Sequence, residues 1–178
     1  MEILVALVLI GILVGTLVPS VLGHLGRGEL GRLIDDLEAI SRGAKSFRVD
    51  VTRWPGDLED LVRRPSTNGD ADLNSNGYPP GLIGKWAGPY LEVGTIPGDS
   101  LPTALGGVIR NSFTKTTWGD GTFLTVEVTG VTRENVQAVS RIVDGDTIVD
   151  HASADNNGRV RWVTTPTEGM RYLIGPVN

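Results

Sequence analysis

The sequence predicts an α+β fold: a long N-terminal α-helix packed on a small antiparallel β-sheet domain with long loops. Three observations carry that expectation. Residues 3–23 hold no charged side chain and are mostly Ile, Leu, Val and Ala. A helical stripe of apolar residues follows without a gap, at Leu30, Leu33, Ile34, Leu37, Ile40, Ala44, Phe47 and Val51. Short β-rich segments bounded by Asp, Asn, Gly and Pro gather after residue 120.

The elements follow in order. The stripe predicts one helix from about residue 2 to about residue 53, broken or bent near Pro19, because proline removes a backbone donor and clashes with the preceding turn. At 1.5 Å per residue it would span roughly 75–80 Å. Glu38 and Arg42 are spaced for an i,i+4 pair on its polar side. Pro55 ends the helix, and Asp57 is placed to cap a short one over Leu58–Arg64 that Pro65 closes. Residues 66–121 read as a long connection punctuated by Asn-Gly, Pro-Pro and Gly-Pro turn signals. Beyond it come a strand over Phe123–Val128 and a helix over Arg133–Val143 capped by Thr132. Short strands are expected at Ile148–Val149, Arg159–Thr164 and Tyr172–Ile174.

Composition narrows the function. With 16 basic and 21 acidic residues the formal net charge is −5, which disfavours a nucleic-acid binder built on a basic face. There is no cysteine, so disulfides and thiolate metal sites are excluded. His24 and His151 have no metal-ligand spacing, and there is no nucleophile elbow and no phosphate loop. Residues 1–46 contain no Phe, Trp or Tyr, which argues against conduction through stacked rings. Catalysis is not expected.

The apolar run of about 20 residues is long enough to cross a bilayer as a helix. Its edge carries a single acid, Glu2, and a carboxylate in such a setting needs a partner. No basic residue precedes the run, and the first is Arg27, on the far side. Inserting segments normally carry that charge before the run, so a chain processed immediately before the helix is expected.

Together these residues resemble the type IV pilin superfamily, close to the major pseudopilin of type II secretion. The first match is Met1-Glu2-Ile3-Leu4-Val5-Ala6-Leu7-Val8-Leu9-Ile10-Gly11-Ile12-Leu13, with Pro19 at the family's spacing from the glutamate. The second is Arg53-Trp54-Pro55, Leu58-Glu59-Asp60-Leu61-Val62, Pro65 and Lys85-Trp86-Ala87-Gly88-Pro89-Tyr90-Leu91; Trp118-Gly119 matches a later pair more loosely. The family's cleavage glycine and first mature residues are absent before Met1, so Met1 is expected to stand about three residues into the mature helix. Residues 94–117 read as an insertion.

The resemblance implies a structural subunit that polymerises into a type IV pilus filament, with the secretion pseudopilin as the alternative. It implies residues 1–24 as a hydrophobic transmembrane or filament-core helix, 25–53 as its amphipathic half, and 54–178 as a globular domain. It also implies a homopolymer, an inner-membrane stage before assembly, a prepilin peptidase and an assembly platform, and then an extracellular or periplasmic filament. Glu2 becomes the assembly residue, attracting the N-terminal amine of a neighbour. Gly11, Gly15 and Pro19 become a stretch that unwinds or kinks in the filament, although Gly11 and Gly15 also fit a GxxxG packing face. A single-pass, membrane-anchored periplasmic binding or enzymatic domain is the reading from a different class.

Calcium is the one candidate cofactor. Asp72, Asn74, Asn76 and Gly77 match the first half of a calcium loop, with Ile83 where the bidentate Glu would stand. The same pattern describes a polar Asx turn. Asp144, Asp146, Asp150, Asp155 and Asn157 form a second oxygen-rich patch. The resemblance implies a calcium site further toward the C-terminus than residue 72.

Overall fold

The computed structural model describes residues 2–119, 121–145, 158–164 and 168–177, with side chains described from residue 26 onward except Arg27. The first element, α1, is the helix Glu2–Val51. It runs without a break through Gly11, Gly15 and Pro19, where the sequence predicted a break or bend. It stops two residues short of the predicted end, because Thr52 takes a left-handed backbone with φ 63° and donates its hydroxyl to Val51 O. Two short helices follow, α2 (Glu59–Val62) and α3 (Pro80–Ile83). The helix predicted over Leu58–Arg64 is only the four residues of α2; its N-cap is Leu58, which makes no side-chain cap bond, and Asp57, one residue earlier, accepts from Asp60 N through Oδ1 at 3.0 Å.

The sheet is six-stranded and antiparallel. It contains β1 (Ser100–Pro102), β2 (Val108–Arg110), β3 (Thr114–Trp118), β4 (Gly121–Thr129), β5 (Val160–Val163) and β6 (Gly169–Pro176). The order is β1-β2-β4-β6-β5, with β3 also on β4. Between β4 and β5 lies α4 (Arg133–Val143), whose Thr132 Oγ1 accepts from Asn135 N as an N-cap. Both ends of α4 match the prediction. Three strands, β1 to β3, lie in or across the span read from sequence as connection and insertion. Two of them are only three residues long, and β3 is Thr-Lys-Thr-Thr-Trp, so neither length nor apolar alternation marked them. The expected strand at Ile148–Val149 lies outside the described residues.

Packing follows the pleat. Leu124, Val126 and Val128 of β4, Met170, Tyr172 and Ile174 of β6, and Val160 and Trp162 of β5 share one buried cluster with the α1 stripe from Leu33 to Val51. Leu30 packs at its edge. The opposite face of the same strands is polar yet buried, with Thr125, Glu127, Thr129 and Arg161. There Glu127 and Arg171 stand opposite one another in register, 3.9 Å apart.

Candidate functional site

Residues 53–91 fold back as a clasp on the lower half of α1. Phe47 is fully buried and meets Tyr78 and Tyr90 edge-on, each ring centroid 5.9 Å away. Tyr90 OH donates to Asp50 Oδ2 at 2.6 Å and accepts from Ala87 N, while Tyr90 N and Leu91 N donate to Leu61 O. Trp86 lies edge-on to Tyr90 and donates its indole N–H to Asp60 O at 3.0 Å. The Gly88–Pro89 bond is cis. Close approach requires Gly43, since a Cβ there would sit 3.0 Å from Tyr90 O. Asp60, Leu61, Trp86, Ala87, Gly88, Pro89, Tyr90 and Leu91 belong to the second sequence match, and their physical task is to fasten the loop to the helix.

The clasp closes around a carboxylate. Asp60 is 2% exposed, and its Oδ2 accepts from Tyr78 OH at 2.7 Å and from Gly56 N at 2.9 Å. Burial, and then the nearby Asp57, push its carboxyl up to about 7, against the lowering effect of those hydrogen bonds. Tyr78 is raised by its own burial and by Asp60, and Asp57 is raised by burial. Between the ordinary carboxylate range and about pH 7 the unfolded chain ionises at this residue while the folded chain keeps its proton. Stability therefore falls as pH rises across that window. Asp60→Asn keeps an oxygen for Tyr78 and Gly56 and is expected to flatten the decline in melting temperature between pH 4.5 and pH 7.5. An unchanged slope in the variant would exclude Asp60 as its source.

Sequence reasoning missed Asp60 as an organising residue. It was read only as part of a short helix, because the Tyr78 hydroxyl that meets its carboxylate and the Trp86 indole that meets its backbone carbonyl come from far along the chain.

The predicted metal residues form a turn. Asp72 is buried; its Oδ1 accepts from Asn74 N at 2.8 Å and Asn76 N at 2.9 Å, and its Oδ2 takes Arg53 Nη1 at 2.7 Å. Asn74 Oδ1 is engaged by Lys115 Nζ. A calcium ion at Asp72 would have to displace a guanidinium and two amides. Among the described residues no three or more His, Cys, Asp or Glu side chains are grouped to hold a metal. In the second patch, Asp144 binds Arg159 N and Val160 N and so fixes the start of β5. Asp146, Asp150, Asp155 and Asn157, like His151, lie outside the described residues.

Glu2 is the first residue of α1, and Gly11, Gly15 and Pro19 lie along it; their side chains are outside the described set. Among the described residues no helix is long and apolar enough to cross a membrane.

The chain is 29% identical over 84 residues to type II secretion system core protein G of Klebsiella pneumoniae, covering 46% of this chain and 57% of that protein. It is 27% identical over 74 residues to the protein of the same name from Klebsiella michiganensis, covering 40% and 52%. The chain is similar to core protein G in sequence, and its long N-terminal helix on a six-stranded antiparallel sheet is an α+β, pilin-like arrangement. The match spans about half the length of these relatives. No family model and no solved structure matches it.

Proposed function

We propose that this chain is the major subunit of a type II secretion pseudopilus, a structural homopolymer rather than an enzyme. The observation that supports this most directly is the similarity to core protein G, which is named for secretion. The clasp built from Trp54, Pro55 and Trp86–Leu91 agrees with it, since these residues carry the resemblance to the major pseudopilin. The type IV pilus, placed first from sequence, becomes the second reading. On the proposed reading α1 holds the subunit in the inner membrane after a prepilin peptidase has cut the precursor. An assembly platform then draws it into a periplasmic filament with the globular domain outward.

Deleting the gene in its own host and restoring it on a plasmid tests this. The expected result is export lost on deletion and regained on restoration, with short filaments carrying this chain when it is overproduced. Intact export together with loss of long surface fibres would transfer the assignment to the pilus.

A further inference from the structure

Helix α1 has two apolar stretches and a different composition between them. From Leu33 to Val51 its stripe is buried against the sheet domain, with Leu30 packed at the edge. Residues 3–23 form the uncharged apolar run. The interval holds four glycines in nine residues, Gly23, Gly26, Gly28 and Gly31, together with the charged Arg27 and Glu29. Gly28 and Glu29 are exposed, as is Arg32 just beyond.

Neither of the usual structural reasons for glycine applies here. A Cβ built at Gly26, Gly28 or Gly31 meets nothing within 4 Å among the described residues, so no close approach excludes a side chain. All four glycines lie within α1, where the backbone has negative φ that any L-residue adopts. They do not form a packing seam either. At about 100° per residue they spread over roughly 200° of the helix surface, about twice the width of an apolar stripe. What they share is their effect on the helix. Against Ala each disfavours an interior helical position roughly fivefold, and four compound to several hundredfold. A span of nine residues is also shorter than an isolated helix needs to hold in water, so its order depends on its neighbours.

We propose that residues 23–31 are a joint in α1, which opens locally so that the globular domain swings relative to the apolar run while both stay folded. Openings of this kind occur where apolar contacts are few and backbone hydrogen bonds face solvent. The joint is separate from the stretch at Gly11, Gly15 and Pro19, which lies inside the apolar run. Its existence stands apart from the pseudopilin reading. Its use, letting the domain turn as a subunit passes from bilayer to filament, rests on that reading.

Hydrogen exchange on the full chain in detergent micelles reads the opening. Amides of residues 24–31 are expected to exchange on the order of 100-fold faster than those of residues 34–47, corrected for intrinsic rates, although one helix contains both. G26A, G28A and G31A introduced together are expected to slow the first group on the order of 100-fold. The melting temperature of the globular domain should not move, because the added Cβ atoms meet nothing. The swing is read separately. The chain has no native cysteine, so S20C and S46C carry the only two spin labels, about 39 Å apart along a straight helix. A broad distance distribution reaching well below that value is expected with the glycines, and a single narrow one with the three alanines. Equal protection of the two groups, or a narrow distance in the glycine-containing chain, overturns the joint. Filaments are expected to be lost in the triple variant; normal filaments from it overturn the use in assembly and leave the joint standing. The export assay of the deletion strain judges the pseudopilin reading independently of all three measurements.

Discussion

Phe47→Ala is expected to lower the melting temperature of the detergent-solubilised chain by roughly 10 °C or more. Phe47 is fully buried and touches the rings of both Tyr78 and Tyr90. Truncating a buried Phe costs about 3–5 kcal/mol, as lost transfer energy plus the cavity left behind. In a domain of this size each kcal/mol moves the midpoint by roughly 2–4 °C. The surroundings have little freedom to collapse into the gap. Tyr78 is held by Asp60, Tyr90 by Asp50, and Gly43 already lies against the Tyr90 carbonyl. Val49→Ala, two residues away and 78% exposed, provides the contrast, and its midpoint should stay close to that of the unaltered chain. A Phe47→Ala chain melting within about 2 °C of the original would mean that the clasp contributes little to the fold.

The contrast between Phe47 and Val49 also explains what the sequence made legible. The α1 stripe repeats at helical spacing, so each buried apolar side chain from Leu33 to Val51 could be named from its neighbours alone, while buried Ser41 and Gly43 could not. Thr132 and the amphipathic run behind it are equally local, and the limits of α4 followed. Strands β1 to β3 depend on distant partners. Ile109 is paired with Val128 and buried in the cluster that holds the α1 stripe, and nothing within residues 94–117 states that. Asp72 shows the same limit from the other side. Alternating oxygen residues suit a calcium loop or an Asx turn, and Arg53, nineteen residues earlier, supplies the cation that its Oδ2 binds. Trp86 and Tyr90 of the clasp were recognised as part of a pattern; their hydrogen bonds to Asp60 O and Asp50 gave that pattern its physical meaning.

Glu2→Ala is expected to abolish filaments while leaving the chain in the membrane fraction. Two partners could satisfy this carboxylate, and their energies separate them. One is a helix N-terminus, whose first turn presents unpaired N–H groups. That interaction is worth only about 0.3–1 kcal/mol at an exposed end. The other is the cationic amine of a neighbouring subunit. Leaving an ion unpaired in an apolar setting costs several kcal/mol, which a complementary charge largely recovers. If the helix end alone used Glu2, removing the acid would trim α1 stability slightly and filaments would persist. If a neighbour uses it, subunits lose the charge that guides them into place, and polymerisation fails although the apolar run still inserts. Fractionation followed by electron microscopy of sheared material reads both outcomes. Glu2→Gln sharpens the result, because it keeps the hydrogen-bonding shape while removing the charge. Filaments of normal length from the glutamine variant would assign Glu2 to the helix end, and their loss would assign it to the neighbouring amine.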